Sequence, residues 1–448
     1  MDKRLRRKVL VASLIGSSIE WFDFFLYAAV ATIIFNSQFF VTEDPVVSTL
    51  LAYFGLALSF FIRPFGGVIF GHIGDRIGRK KTLIITLSMM GVATACIGLL
   101  PSYAQIGVAA PLLLMLLRLI QGLGIGGEWG GALLLATEYA PKEQRGFFGS
   151  VPQMGITIGL VLAYTSFFIL TGLLSEAAFA AWGWRIPFVM SLFLVVFGLW
   201  IRKDLDETPA FQEAKKTQTV QKVPLVETFK RHPKEVLITS CAKFVETGPF
   251  YIFTTFIVGY GTSQLNVSFE FMMISIVIAA FLTTMMIPVM GRLSDRVGRR
   301  RMFLVGSAAM LVYAFPYFII VNTHQPALVI IATLIGLTII WPPITAVLGT
   351  MFSEAFSREV RYTGVTIGYQ IGAAAAGGTA PLIAQFLMNQ FNGSSVPVSL
   401  YIIMTAVVSM VAVWAIKGEQ AQDLEYARDQ AARSEGTQVA QAEPETNA

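Results

Sequence analysis

The chain has 448 residues, of which 55% are hydrophobic and only 14% are charged, and its mean hydropathy is +0.65. Because soluble domains carry about a quarter charged residues, this composition excludes a soluble globular protein and indicates a polytopic membrane protein. The net charge of +5 is explained by basic loops at one membrane face, so it does not predict nucleic-acid binding. Cys96 and Cys241 lie in separate apolar runs without metal-ligand spacing, and no structural disulfide is expected.

Twelve apolar runs are long enough to cross a bilayer, which takes about 20 residues. The first follows a basic start, is too long for the core of a cleaved signal peptide and lacks a small-residue cleavage site, so we interpret it as a retained span. The runs are called spans 1 to 12 in chain order. They are predicted at 9–35, 46–70, 82–100, 106–137, 147–172, 184–201, 235–260, 270–290, 302–321, 327–352, 362–389 and 398–416.

The distribution of Lys and Arg predicts that both termini are cytoplasmic. With the N-terminus inside, 29 of the 33 basic residues fall on the cytoplasmic side and three lie within spans. Only Arg185, at the head of span 6, remains for the outer side. This asymmetry is the one that sets orientation in membrane proteins.

Two landmarks indicate that the chain is an internal repeat of six spans. The segment 71–81 after span 2 resembles 291–301 after span 8, and 138–145 after span 4 resembles 354–361 after span 10. A 6+6 repeat is typical of a transporter whose substrate site lies between the halves. The predicted organisation is an N-terminal half at 1–201, a cytoplasmic linker at 202–234, a C-terminal half at 235–416 and a disordered cytoplasmic tail at 417–448.

The repeated loop segment, G-x-x-x-D-R-x-G-R-[RK], predicts a gating and assembly motif that makes no substrate contact. Its glycines allow close helix approach, and each aspartate lies where a basic residue or the backbone N–H groups of a neighbouring helix can pair with it. The alternative is a basic loop that only fixes topology. The residues are Gly71, Asp75 and Arg79 in the first copy and Gly291, Asp295 and Arg299 in the second.

These features resemble the major facilitator superfamily, including its fourth-span motif at 118–131. More specifically, four segments resemble the bacterial metabolite:proton symporters, a subfamily with permeases for shikimate, α-ketoglutarate, citrate and proline or betaine. The resemblance implies an all-α membrane protein with the major facilitator fold, twelve transmembrane helices in pseudo-symmetric halves, in the bacterial cytoplasmic membrane. The four segments are EWFDF (20–24), RPFGGVIFGHIGDRIGRK (63–80), GGEWGG (126–131) and WGWRIPF (182–188).

Seven ionisable residues lie well inside predicted spans, where each costs about 2.5–3.5 kcal/mol or more without a partner or a water-filled cavity. Depths estimated at about 1.5 Å per residue predict two cross-helix pairs. Asp23 would pair with Arg118, and Arg63 with Glu128. Helical spacing of three residues places Glu20 beside Asp23 and Lys243 beside Glu246. The acids are Glu20, Asp23, Glu128 and Glu246, and the bases are Arg63, Arg118 and Lys243.

Four acids against three bases predict that one acid binds a proton or another cation while the cluster moves. We interpret Asp23 as the proton carrier influenced by Arg118, with Glu20 and Glu128 as alternates and Arg63 in the same network. The competing interpretation is that these charges are static contacts between helices, which is strongest for Arg63 with Glu128.

The substrate is expected at the midplane between the halves. Tyr and Gln side chains inside a bundle require hydrogen-bond partners, although core packing alone would explain any single aromatic residue. A ring compound with one carboxylate suits three buried bases and several aromatic side chains, whereas a trianion would exceed the available positive charge. The predicted substrate-binding residues are Lys243, Glu246, Tyr251, Trp341, Tyr369 and Gln370.

The predicted function is proton-coupled uptake of a small organic acid, with a shikimate-like monocarboxylate favoured and the chain acting as a monomer in the lipid bilayer. A proline or betaine symporter, a di- or tricarboxylate symporter, and a facilitator or antiporter remain alternatives. A membrane enzyme is a remote alternative, because the sequence has no phosphate-binding G-x-x-x-x-G-K-[ST], no H-E-x-x-H and no G-x-S-x-G. We therefore expect no catalytic residue, metal or cofactor.

Overall fold

The computed structural model describes residues 3–77, 79–138, 140–203, 228–230, 232–356 and 361–416, and it describes their side chains except at 3–8, 32, 71–72, 74–80, 83, 135, 138, 142 and 201–203. The tail at 417–448 and nearly all of the predicted linker at 202–234 therefore lie outside the described residues. So do the side chains of Gly71, Asp75 and Arg79.

Each of the twelve predicted spans is helical. Spans 1 to 6 are Lys3–Val30, Pro45–Ile77, Arg79–Leu99, Ala109–Glu138, Arg145–Leu173 and Arg185–Lys203. Spans 8, 9 and 12 are Phe269–Val297, Arg299–Val321 and Val396–Trp414. Spans 7, 10 and 11 are interrupted: they comprise Pro233–Ala242, Phe244–Tyr251 and Ile257–Ser263, then Pro326–Leu334 and Pro342–Glu354, then Arg361–Ala373 and Ala380–Gln390.

Short elements complete the chain at span ends and interruptions. Three-to-four-residue helices lie at Asn36–Gln38, Tyr103–Ile106 and Glu176–Ala178, with a 3₁₀ turn at Lys142–Gln144. Wider π-helical turns, which often occur at functional positions, lie at Ala31–Phe35, Phe179–Gly183, Ile252–Phe256, Ile335–Ile340 and Ala374–Gly378.

Within the described residues, spans 3, 6 and 7 are not, by themselves, single helices long and apolar enough to cross a membrane. In the described part of the chain, nine helices are long and apolar enough to cross a membrane. The number is ten if span 6 is joined to the preceding segment Glu176–Gly183, from which it is bent by 47°. Span 3 has an apolar stretch of only Ile84–Leu99, and span 7 is broken at Lys243. The difference from twelve thus reflects bends, breaks and one short apolar core.

The packing of the spans repeats after a shift of six. Span 1 packs on span 5 as span 7 packs on span 11, and span 3 packs on span 6 as span 9 packs on span 12. The two halves meet where span 2 packs on span 11 and span 5 packs on span 8, which are equivalent contacts under the same shift. The polar residues described next lie at and beside this interface.

Candidate functional site

Arg63 of span 2 lies where span 2 crosses span 4 at close range. A Cβ atom at Gly126 of span 4 would collide with the carbonyl oxygen of Arg63, so the glycine permits the approach. The guanidinium carbon lies 3.8 Å from the ring centroid of Phe60 and 4.7 Å from that of Phe24. These cation–π contacts leave Nε and Nη2 without a hydrogen-bond partner among the described residues.

The neighbours of Arg63 come from both halves of the molecule. They include Tyr251 of span 7, Glu20 of span 1 and Tyr369 of span 11, and the pairing of Arg63 with Glu128 stays a prediction. Two of these belong to the C-terminal half, on spans 7 and 11. Arg63 therefore faces the other half of the molecule.

Lys243 and Glu246 form a buried ion pair in span 7, as their three-residue spacing predicts. Thr345 of span 10 donates to Oε1 of Glu246 at 3.1 Å, and Thr247 donates to Oε2 at 2.7 Å. The Lys243 ammonium also lies 3.7 Å from the ring centroid of Tyr369. Both charges are thus neutralised and hydrogen-bonded inside the protein.

The break in span 7 beside this pair is stabilised by a serine from another helix. Ser409 of span 12 accepts a hydrogen bond from the Val245 N–H at 3.0 Å and donates one to the Cys241 carbonyl at 2.8 Å. One hydroxyl therefore satisfies a donor and an acceptor on either side of Lys243. Because buried backbone groups must be paired, this contact supports the interruption of span 7.

The aromatic residues predicted for the substrate site come together across the interface. Tyr369 of span 11 stacks on Trp129 of span 4, with ring centroids 3.4 Å apart. Tyr251 packs its ring against Phe24 and Phe60 of the N-terminal half at 5.9 and 5.3 Å. The Tyr251 hydroxyl and both amide atoms of Gln370 are buried without a hydrogen-bond partner in the described part of the structure.

Trp341 has a structural contact in addition to its position at the site. Its indole N–H donates to the backbone carbonyl of Glu246 at 2.6 Å, and its ring lies 4.7 Å from that of Phe250. The contact joins spans 10 and 7 directly beside the ion pair.

Asp23 does not form the predicted ion pair with Arg118, and that expectation is wrong for this structure. Among the described residues, neither carboxylate oxygen of Asp23 has a hydrogen-bond partner, and no basic group lies within salt-bridge distance of them. Its polar neighbours are the hydroxyls of Thr94 on span 3 and Ser191 on span 6. Asp23 therefore points into the N-terminal half.

Arg118 instead forms hydrogen bonds with residues of spans 2 and 4. It donates to the Gly55 carbonyl at 3.2 Å and to Oε1 of Gln121 at 2.8 Å. Gln121 in turn donates to the Thr94 hydroxyl at 2.7 Å. Thr94 and Gln121 thus lie between Asp23 and Arg118, which replaces the direct contact by an indirect one.

Sequence reasoning missed Gln153, which connects the two halves. Gln153 of span 5 accepts from the Trp129 indole at 3.3 Å and donates to the Thr345 carbonyl at 3.3 Å. Uncharged residues of this kind give no signal in the pattern of charges within apolar runs. Glu128, which that pattern does identify, is buried next to Trp129 in span 4.

The second copy of the loop motif joins the two halves at one end of the bundle, here called the motif end. Asp295 accepts hydrogen bonds from the backbone N–H groups of Gly146 and Phe147 at 2.8 and 3.1 Å, at the start of span 5. It also lies 3.5 Å from Arg299, which forms an ion pair with Glu354 of span 10. A carboxylate at a helix N-terminus is stabilised by the helix dipole, so the contact favours closure at this end.

We expect Asp295→Asn to weaken closure at the motif end. Loss of the charge removes about 1 kcal/mol of helix-terminus stabilisation, which corresponds to about fivefold in the closing equilibrium. In a background with Cys96 and Cys241 replaced by serine, Ser150→Cys should report opening, because Ser150 is buried against Gly291. Maleimide labelling at this position should become about fivefold faster.

The matched control is Asp44→Asn. Asp44 makes the same kind of contact, accepting from the Val46 N–H at 2.8 Å at the start of span 2, but it does not join the halves. Labelling unchanged by Asp295→Asn, or accelerated equally by both substitutions, would contradict a gating role for Asp295.

Metal binding finds no support in the described residues, where no group of three or more His, Cys, Asp or Glu side chains is arranged to hold an ion.

Comparison with known proteins shows the family. The family model of the Major Facilitator Superfamily matches residues 13–368, and a second match covers 264–438. The shikimate transporter of Escherichia coli strain K12 is 36% identical over 416 residues, covering 92% of this chain and 95% of that protein. The inner membrane metabolite transport protein YhjE of the same strain is 38% identical, covering 91% and 93%. Its proline/betaine transporter is 37% identical, covering 92% and 83%.

Solved structures show the same fold at low sequence identity. The proton:xylose symporter XylE bound to 6-bromo-6-deoxy-D-glucose matches with a TM-score of 0.73 and 15% identity, covering 92% of this chain and 95% of that one. A partially occluded inward open form of XylE from E. coli matches with a TM-score of 0.71 and 16% identity, covering 93% and 98%. The chain therefore belongs to the major facilitator superfamily, whose members are multi-pass secondary transporters and not enzymes.

Proposed function

We propose that this protein takes up a small organic acid together with a proton by alternating access. The observation that carries the proposal is a set of buried charges at and beside the interface of two six-span halves. Charged side chains inside a membrane protein mark substrate and ion pathways. The E. coli relatives named for shikimate and for proline or betaine transport support a small metabolite as the substrate.

Asp23 is proposed as the proton carrier. It lies 0% exposed between hydroxyl groups rather than beside a fixed cation. A buried carboxylate without a permanent partner can exchange a proton as the surrounding helices move. Arg118 would influence Asp23 through Gln121 and Thr94, while Glu20 and Glu128 remain alternate proton sites.

The substrate is proposed to bind where spans 2, 7, 10 and 11 meet. The residues proposed to line this region are Lys243, Glu246, Tyr251, Trp341, Tyr369 and Gln370. An organic acid is favoured because the C-terminal half supplies aromatic rings and hydrogen-bonding groups opposite the Arg63 guanidinium. The second loop motif lies at one end of the bundle, and both copies are proposed to gate the site without touching substrate.

The cellular location, oligomeric state and orientation of the chain are proposals as well. The chain would lie in a bacterial cytoplasmic membrane as a monomer, with both termini and the 202–234 linker cytoplasmic. The halves would be 1–201 and 235–416, with a disordered tail at 417–448. A reporter domain fused after Ala448 that is active only outside the cell would contradict this orientation.

Uptake by a bacterial strain that lacks its own carriers tests the function. We expect labelled shikimate to accumulate against its gradient, the weakly buffered medium to become more alkaline, and a protonophore to abolish accumulation. α-Ketoglutarate, citrate and proline are tried in parallel. Equilibration without accumulation would indicate a facilitator, and acidification would indicate an antiporter; either would refute proton symport.

A zwitterion such as proline or betaine is the second candidate. The favouring observation is the adjacent Lys243 and Glu246, whose opposite charges could each bind one end of such a molecule. The 37% identical proline/betaine transporter also supports it. Uptake of proline alone from the panel would favour this candidate over an organic acid.

A further inference from the structure

Unpaired polar atoms in the proposed substrate site are concentrated on three side chains. Arg63 has Nε and Nη2 without hydrogen-bond partners, Tyr251 has its hydroxyl, and Gln370 has both amide atoms, as far as the structure describes the chain. All three side chains are at most 1% exposed. Because a buried polar atom without a hydrogen-bond partner is unfavourable, such atoms mark where a polar ligand would be stabilising.

The unpaired atoms of Arg63 have the geometry of a carboxylate site. Nε and Nη2 are the two adjacent donors of one guanidinium edge and can hold both oxygens of a carboxylate in parallel. Glu20 lies in electrostatic range and balances the charge, but it occupies neither of these donors. The rings of Phe60 and Phe24 fix the plane of the guanidinium.

Lys243 is a weaker candidate for the same role. Its ammonium is paired with Glu246, whose oxygens also receive hydrogen bonds from Thr345 and Thr247. A substrate carboxylate would have to displace Glu246 and leave that acid buried without its partner, which is strongly unfavourable. Of these two basic groups, Arg63 of span 2 is therefore the one that is ready to receive a carboxylate.

Gln370 of span 11 lies at nearly the same depth in the helix bundle as Arg63 of the facing span 2. Thr366 of span 11 packs on Gly67 of span 2: a Cβ atom added to this glycine would lie 3.2 Å from the methyl carbon of Thr366. Gln370 is one helical turn further along span 11, and Arg63 is one turn back along span 2. Tyr251 of span 7 is a neighbour of Arg63 as well, so two spans of the C-terminal half place hydrogen-bonding side chains on the side that Arg63 faces.

We propose that Arg63 anchors the substrate carboxylate through Nε and Nη2, and that Tyr251 and Gln370 bind hydroxyl groups on the same molecule. The substrate class is a hydroxylated monocarboxylate. Lys243 and Glu246 then serve as an internal pair that lines the site and does not carry the anion. This inference rests on the proposed uptake of an organic acid.

Binding of shikimate and of its methyl ester to the purified full-length protein tests the anchor. The ester keeps the ring and hydroxyls but lacks the carboxylate. We expect Arg63→Gln to weaken shikimate binding by about thirtyfold, since charge-assisted hydrogen bonds contribute about 1.5–3 kcal/mol. Ester binding should change little and also shows that the variant is folded. If Arg63→Gln does not fold, Arg63→Lys is the substitute variant. Lysine keeps the positive charge but lacks the two parallel N–H donors of the guanidinium edge, so it should still reduce the acid-to-ester preference.

Two further sets of variants separate the carboxylate anchor from the ion pair and from the hydroxyl contacts. The double variant Lys243→Met/Glu246→Gln should keep the acid-to-ester preference of the wild type. Tyr251→Phe and Gln370→Leu should reduce the preference for shikimate over cyclohexene-1-carboxylate, which lacks the hydroxyls, whereas Arg63→Gln should not.

An acid-to-ester preference that survives Arg63→Gln, or that disappears in the Lys243/Glu246 double variant, would overturn the anchor while leaving organic-acid uptake intact. A wild-type protein that binds no shikimate would overturn the proposed class of hydroxylated monocarboxylates, and one that binds neither shikimate nor α-ketoglutarate would also overturn organic-acid uptake.

Discussion

Replacing Asp23 by asparagine should abolish accumulation of substrate while leaving exchange of internal for external substrate measurable. Asparagine has nearly the same shape and stays neutral, so it matches the protonated acid but can never release a proton. Asp23 is fully buried and its oxygens lack hydrogen-bond partners within the described structure. Its charged form is therefore costly at this position, and the substitution removes the step that couples transport to the proton gradient.

Accumulation and exchange in the same vesicles separate coupling from binding. An imposed gradient of about two pH units should drive accumulation of up to about a hundredfold in the wild type and not in Asp23→Asn, since one proton moving down it gains about 2.7 kcal/mol. Glu43→Gln is the matched control, because Glu43 is exposed before span 2. If Asp23→Asn still concentrates substrate, another acid carries the proton.

The number and order of the helices can be predicted from the sequence because hydropathy depends on local composition. The positions at which a helix bends or breaks cannot. Span 7 is broken at Lys243, and the backbone groups on either side are satisfied by Ser409, which is more than 160 residues away in sequence. Such a break depends on a tertiary contact, so a pattern within span 7 cannot predict it.

The candidate site shows the same division between local and non-local information. Lys243 and Glu246 pair as predicted, because spacing along one helix fixes their relative position. Asp23 and Arg118 do not, because counting residues gives the depth of a side chain but not the direction in which its helix is rotated. Arg118 is instead turned toward Gly55 and Gln121.

Replacing Lys243 by methionine should be among the most destabilising single changes in the chain. Methionine keeps most of the side-chain volume but leaves Glu246 without its partner at 2% exposure. Breaking a buried ion pair from one side costs about 3–5 kcal/mol. We therefore expect a much lower thermal unfolding temperature in detergent and low yield of folded protein.

The double variant Lys243→Met/Glu246→Gln shows whether the loss comes from the unpaired acid. Glutamine keeps an oxygen that can accept from Thr345 and Thr247, and it carries no charge that needs Lys243. Because removal of both charges of a buried pair is often close to neutral, the double variant should recover to within about 1 kcal/mol of the wild type. If the double variant is as unstable as Lys243→Met, the cost lies in the contact of Lys243 with the Tyr369 ring, 3.7 Å from its ammonium. A single variant as stable as the wild type would mean that Glu246 is readily neutralised by a proton, which would make it a rival to Asp23 as the coupling acid.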